Sequence, residues 1–91
     1  MSENKAHHTI QHEVVRAWAE ERGGKPAVIS GSRQKKYGGI LRIDFYEQTE
    51  PLETVSWPDF FTIFEDRKLA FLFQEETADG KVSRFYKFLK R

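Results

Sequence analysis

Apolar residues recur along this chain in two rhythms, and each change of rhythm marks an element. From Ser56 to Lys68 the spacing is helical: Trp57, Phe60, Phe61 and Phe64 share one face. Ser56 supplies an N-cap oxygen, with Asp59 at the third helical position of a shortened capping box. Val55 and Phe60 occupy the two positions of a hydrophobic staple. Arg67 and Lys68 close the segment where cations suit the negative end of the helix dipole. An earlier helix starts at Thr9 as N-cap and carries Ile10, Val14, Ala17 and Trp18 on its stripe. Gly23 and Gly24 end it, and Pro26 prevents its resumption.

Elsewhere the period is two. Ala27–Ser30 reads as a short strand, and Ile40–Tyr46 as a clear one with Leu41, Ile43 and Phe45 on one side. The basic, glycine-bounded loop Gly31–Gly39 joins them as an antiparallel hairpin. Glu47–Thr54 is an acidic connector held out of helix by Pro51. Leu69, Phe71 and Phe73 alternate in the most apolar strand, followed by a turn at Thr77–Gly80 in which Gly80 takes positive φ. Val82–Leu89 fits a helical stripe as well as a strand. Its shortness, and its place across a turn from a strong strand, favour the strand, with Phe85 and Leu89 on one face. Residues 1–8 have no periodicity and read as a flexible tail, leaving 9–91 as one α+β domain. The expected order is helix-strand-strand-helix-strand-strand, a four-stranded, mostly antiparallel sheet with two helices on one face. A faint echo between the halves (Trp18 and Arg22 before Ala27–Ile29, Phe64 and Arg67 before Ala70–Leu72) is what matched secondary structure gives by chance.

Composition narrows the function classes. Ninety-one residues suffice for one modest core, filled here by thirteen aromatic side chains. With no cysteine, disulfides, thiolate metal sites and thiol nucleophiles are excluded. No apolar run approaches the roughly 20 residues of a membrane span, and no charged-then-apolar leader opens the chain. The expectation is a cytoplasmic protein with no membrane partner. The net charge of +1 is unevenly distributed: +4 over Met1–Ile43, −7 over Asp44–Asp66, and +4 over Arg67–Arg91. Ends that pack against the middle would neutralise such blocks.

Candidate chemistry is sparse. His8 and His12 have metal-ligand spacing on a helix, but lack thiolate or glutamate partners, so no metal and no cofactor is expected. No two carboxylates are singled out for acid–base work, and no phosphate-cradling or nucleophile motif occurs, so catalysis is not expected. The open sheet face is the better candidate. Arg42, Asp44 and Tyr46 look outward from one strand and Arg84 and Tyr86 from the last, with Lys87 near by; Arg33, Lys35, Lys36 and Tyr37 stand in the adjoining loop. This set suits docking of a protein partner on the sheet face or edge, or alternatively stacking and neutralising single-stranded nucleic acid.

Several stretches taken together carry a resemblance. They are Arg16–Ala27, Gly39–Phe45, Ser56-Trp57, Leu69–Leu72, Thr77–Gly80 and Ser83–Phe85. In this order the chain resembles a family of small uncharacterised bacterial proteins, sometimes labelled 1,4-alpha-glucan branching enzyme. The resemblance supplies no catalytic residues and implies at most a carbohydrate-related role. Branching enzymes that resemble amylases need a β/α barrel of several hundred residues, which this length cannot build. The label therefore reads as a misannotation, and the activity is not adopted.

If Phe64 is buried as its position on the stripe requires, Phe64→Ala should lower the unfolding free energy by about 3–5 kcal/mol in urea titration. A near-neutral result would turn that helix face outward.

Overall fold

In the computed structural model, residues 6–33, 38–47 and 49–91 are described. They form β1 (Ala6–Thr9), α1 (His12–Glu21), β2 (Lys25–Ile29), β3 (Leu41–Asp44), β4 (Leu52–Thr54), α2 (Trp57–Asp66), β5 (Leu69–Gln74) and β6 (Tyr86–Lys90). The fold is α+β, but the expected single four-stranded sheet is replaced by two three-stranded antiparallel sheets, ordered β1-β5-β6 and β3-β2-β4. The two added strands come from segments read as tail and connector. Neither carries an apolar alternation of its own; each is recruited by backbone pairing with a strand of the other half of the chain.

Both helices form where expected, with one displaced start. In α2, Ser56 Oγ accepts the Asp59 N–H at 3.1 Å, and Phe60, Ile63 and Phe64 are buried. Ile63 joins the face that the aromatic stripe defined, while Trp57 and Phe61 are half-buried. In α1 the N-cap is Gln11 rather than Thr9, whose hydroxyl accepts the Gln11 N–H at 3.0 Å. The buried face is Val15, Trp18 and Ala19. Ile10 consequently lies outside the helix and is 51% exposed. The C-terminus is a Schellman motif: Gly24 N–H reaches Ala19 O at 2.8 Å, Gly23 N–H reaches Glu20 O at 3.1 Å, and Gly23 has φ 74°. At Gly24 a Cβ would stand 2.6 Å from Ile43 Cγ2 and from the Phe45 ring, so the chain passes there only because the side chain is absent.

The echo between the halves, attributed to chance from the sequence, reflects a shared arrangement: the two halves are βαββ repeats that exchange their first strands. The start of α2 at Trp57 lies 45 residues after that of α1 at His12. The same shift carries the buried set Val15, Trp18, Ala19 onto Phe60, Ile63, Phe64, and the C-cap Arg22 onto Arg67. It carries the left-handed Gly23 onto Lys68, at φ 52°. It also superimposes the hairpin registers, Lys25↔Asp44 becoming Ala70↔Leu89. Yet β1 pairs with β5, and β4 with β2. Each half therefore completes the other's sheet.

One core closes the arrangement. Val28, Leu41 and Ile43 from one sheet and Phe71 and Phe73 from the other meet the buried faces of both helices, with Tyr86 and Phe88 packed against them. Tyr86 joins the sheets directly. Its hydroxyl accepts the Ile43 N–H at 3.1 Å and donates to the Ile43 carbonyl at 3.2 Å. Those groups of Ile43 are turned away from its cross-strand partner Pro26, which has no N–H to offer. Pro26 stands near the start of β2, where a missing N–H is tolerated, and its carbonyl accepts the Val55 N–H at 3.0 Å.

Arg22 fastens α1 to the far half. Its side chain is only 5% exposed. Its guanidinium donates to the carbonyls of Ser83 (2.6 Å), Trp18 (3.0 Å) and Glu75 (3.0 Å), and lies 4.5 Å from the Trp18 ring centroid. Among the described residues the counterpart Arg67 makes one bond across the halves, Nη1 to Gly39 O at 2.6 Å. An ammonium cannot span the three carbonyls that Arg22 reaches. Arg22→Lys should therefore cost about 2 kcal/mol in urea unfolding, and Arg67→Lys about 1 kcal/mol or less; equal losses would contradict this division of roles.

Candidate functional site

The residues singled out in the sequence meet different fates. Lys35, Lys36 and Tyr37 lie outside the described residues. Most of the arginines are paired. Arg33 reaches Asp59 at 3.5 Å, and Arg42 binds Glu50 through Nε at 3.0 Å and Nη2 at 3.4 Å. Arg84 pairs with Glu47 and lies over the Phe45 ring. Asp44 serves a turn: its carboxylate accepts the Tyr46 N–H at 2.7 Å and supports Tyr46 at φ 64°. Tyr46 is exposed, at 67%.

Tyr86 does not look outward. The regular part of the last strand begins at Tyr86, after an irregular segment fixed by the buried Ser83, whose hydroxyl accepts the Phe85 N–H at 3.1 Å. The face assignment therefore shifts by one residue, and every side chain of the strand changes side. Tyr86 and Phe88 meet the core, Phe85 is 46% exposed, and Lys87 and Leu89 belong to the outer face. Of the expected site residues, Arg42, Tyr86 and Lys87 come together, with Phe88, around a groove of about 340 Å³.

A second groove was not legible in the sequence. It crosses the outer side of the β1-β5-β6 sheet at one end, has a volume of about 480 Å³, and is lined by His8, Thr9, Ile10, Ala70, Leu89, Lys90 and Arg91. Its floor is apolar and its rim basic. The repeat gives this face a control. The cross-strand pair Ala70–Leu89 corresponds to Lys25–Asp44 on the other sheet, where oppositely charged residues occupy the same places. Ile10 corresponds to Val55, both just before an N-cap; Val55 is 9% exposed and Ile10 51%. The scaffold thus accepts charge where this face has Ala70 and Leu89, and elsewhere buries the residue that this face exposes. The signal available in the sequence was the run Tyr86-Lys87-Phe88, whose alternating aromatics set the inner side and leave Leu89 outside.

A polar cluster borders the groove. Glu65 Oε2 accepts from Arg91 Nη2 at 2.7 Å and lies 2.7 Å from His12 Nε2, and the His12 ring stacks on Phe61 at 4.2 Å between centroids. Arg91 also donates through Nε to Leu69 O at 2.7 Å. The cluster ties the start of α1 and the end of the chain to the last turn of α2. It offsets a carboxylate placed at the unfavourable end of a helix dipole. Among the described residues no group of three or more His, Asp or Glu side chains is placed to hold a metal ion, and no helix is long and apolar enough to cross a membrane.

Comparison with protein-family models, with curated proteins and with solved structures finds no match to this chain. The class that can be stated is that of the fold, a small α+β protein.

The hydrogen bond from Arg91, then that from His12, lowers the Glu65 pKa from 4.5 to about 2. A depressed carboxylate stabilises the fold fully above its unfolded pKa. The contribution is lost as pH falls from 4.5 through about 2. Because Glu65 is 44% exposed, solvent screening keeps this to about 1 kcal/mol. Glu65→Gln should flatten the acid limb of a stability-versus-pH curve between those values; an unchanged limb would place the acid sensitivity elsewhere.

Proposed function

We propose that this protein works by binding rather than catalysis, as an interaction module that docks a protein partner on the open face of the β1-β5-β6 sheet. The observation that carries this is the apolar groove floored by Ile10, Ala70 and Leu89, at positions where the equivalent face of the other sheet has Lys25 and Asp44. Of these, Ile10 is exposed, Leu89 half-buried and Ala70 buried at the bottom of the groove, and an apolar set rimmed by polar groups marks an interaction site where isolated exposed apolar residues do not. Burying such a floor against a partner contributes roughly 25 cal/mol per Å² of apolar surface removed from water.

Single-stranded nucleic acid is the second reading, and the groove at Arg42 and Lys87 is what supports it. Pairing of Arg33, Arg42 and Arg84 with Asp59, Glu50 and Glu47 weakens the phosphate attraction on which such binding rests.

Chemical cross-linking in native lysate separates the two. Ile10→Glu and Leu89→Glu should each abolish a specific cross-linked protein while leaving the circular-dichroism spectrum unchanged, and oligonucleotide titrations at low salt should be flat. An unchanged cross-linking pattern in both variants sinks the docking face. Salt-sensitive oligonucleotide binding lost in Lys87→Glu would favour the second reading.

A further inference from the structure

We infer that the segment docking on this face carries carboxylates around its apolar side chains. The inference rests on the docking face proposed above and adds the chemistry of the partner. It starts from where the chain has used its own acids. Arg33, Arg42 and Arg84 each meet a carboxylate, and Arg91 is held by Glu65, which His12 also engages. On the sheet opposite, Lys25 stands across from Asp44.

The outer side of β1-β5-β6 differs. Leu72 lies between His8 on β1 and Lys87 on β6, while Lys90, paired with Leu69 in the inward phase of Tyr86 and Phe88, borders the groove from the end of the strand. Lys87 and Lys90 are exposed and have no ion pair among the described residues. Among the described residues no carboxylate lines the groove. Lys87 on the outer face and Lys90 at the strand end, without an ion pair among the described residues, therefore flank an apolar floor, and their aliphatic stems extend it while the charged heads stay in water.

Such a surface discriminates by charge. An apolar segment flanked by Asp or Glu gains both burial and attraction, and one flanked by Lys or Arg meets repulsion on every approach. The groove, of about 480 Å³, is shallow and open and has room for a few side chains of an extended segment. The outer edge of β1 has no paired strand among the described residues, so an extended segment can also add backbone hydrogen bonds there.

The test is selection of short random peptides displayed on phage against the full-length protein at low salt, with counter-selection on Leu89→Glu and Ile10→Glu. The expected winners place Asp or Glu around an apolar residue. They should bind a Lys87→Glu/Lys90→Glu double variant roughly tenfold more weakly, a difference that shrinks with added salt. Peptides with the acids changed to Lys should recover binding to that double variant. Enrichment of neutral or basic apolar peptides would overturn the acidic chemistry and leave the docking face standing. No enrichment, or binding that Leu89→Glu and Ile10→Glu leave unchanged, would overturn both. Self-association abolished by Leu89→Glu, or capture on anionic vesicles in place of peptides, would assign the face to a second copy or to a membrane surface instead.

Discussion

The guanidinium of Arg22 is the point through which the two halves of the chain are held in phase. It sits where the last turn of α1, the end of β5 and the approach to β6 converge, and it satisfies a carbonyl from each. The carbonyls of Ser83 and Trp18 are partly buried, and a buried carbonyl left without a partner costs about 1–3 kcal/mol, while the exposed Glu75 carbonyl also accepts the Ser83 N–H at 3.1 Å. Trp18, one turn earlier, works with it: the indole N–H donates to Gln74 O at 2.8 Å and the ring carries the guanidinium. Between them these two side chains fix residues 74, 75 and 83. That in turn fixes how much chain is taken up before β6 begins. The phase of β6, and hence which of its residues meet the core, follows from a clamp on the opposite half.

Exchange of the first strands explains why one clamp has such reach. Neither βαββ half holds a complete sheet by itself, since β1 completes the β5-β6 hairpin and β4 completes β2-β3. The aromatic core is shared in the same way: Trp18 of the first half packs edge-on against Phe71 and Tyr86 of the second, at 5.3 and 6.1 Å between centroids. Contacts of this kind join residues far apart in sequence, so their loop-closure cost falls before the contacts form. The long-range bonds of Arg22, Arg67 and Tyr86 each cross between halves, and each satisfies backbone groups that neither half can satisfy alone.

How much of this was legible follows from where each signal resides. The second helix was readable because its cap, staple and stripe are local: Ser56, Val55 and Phe60 do what their spacing says. The β2-β3 hairpin was readable for the same reason, with Leu41 and Ile43 turned to the core. The strands β1 and β4 were not, because what makes Ala6–Thr9 and Leu52–Thr54 strands is a partner some dozens of residues away, not their own alternation. The start of α1 was misplaced by an apolar residue, Ile10, that fits a helical stripe but lies before the cap. Arg84 is exposed, but the outward placement of Tyr86 failed on a single residue of phase, which the Ser83 hydrogen bonds decide and no periodicity records.

That one-residue phase also decides what the surface offers. With β6 set so that Tyr86 and Phe88 fill the core, Leu89 stands outside beside Ala70, in the places that hold Asp44 and Lys25 in the other half. Two repeats that share a register constitute an internal comparison: what both halves require, such as the buried triplets on the helices, belongs to the fold. What one half replaces with charge is not required by it. Turning Ile10 and Leu89 toward water forgoes stabilisation that the fold gains at Val55 and does not seek at Asp44. The same clamp that orders the core thus leaves an apolar floor on the outside of one sheet alone, with Lys87 beside it and Lys90 at the strand end. That asymmetry, not the aromatic-rich second helix, is where the molecule departs from the needs of its own folding.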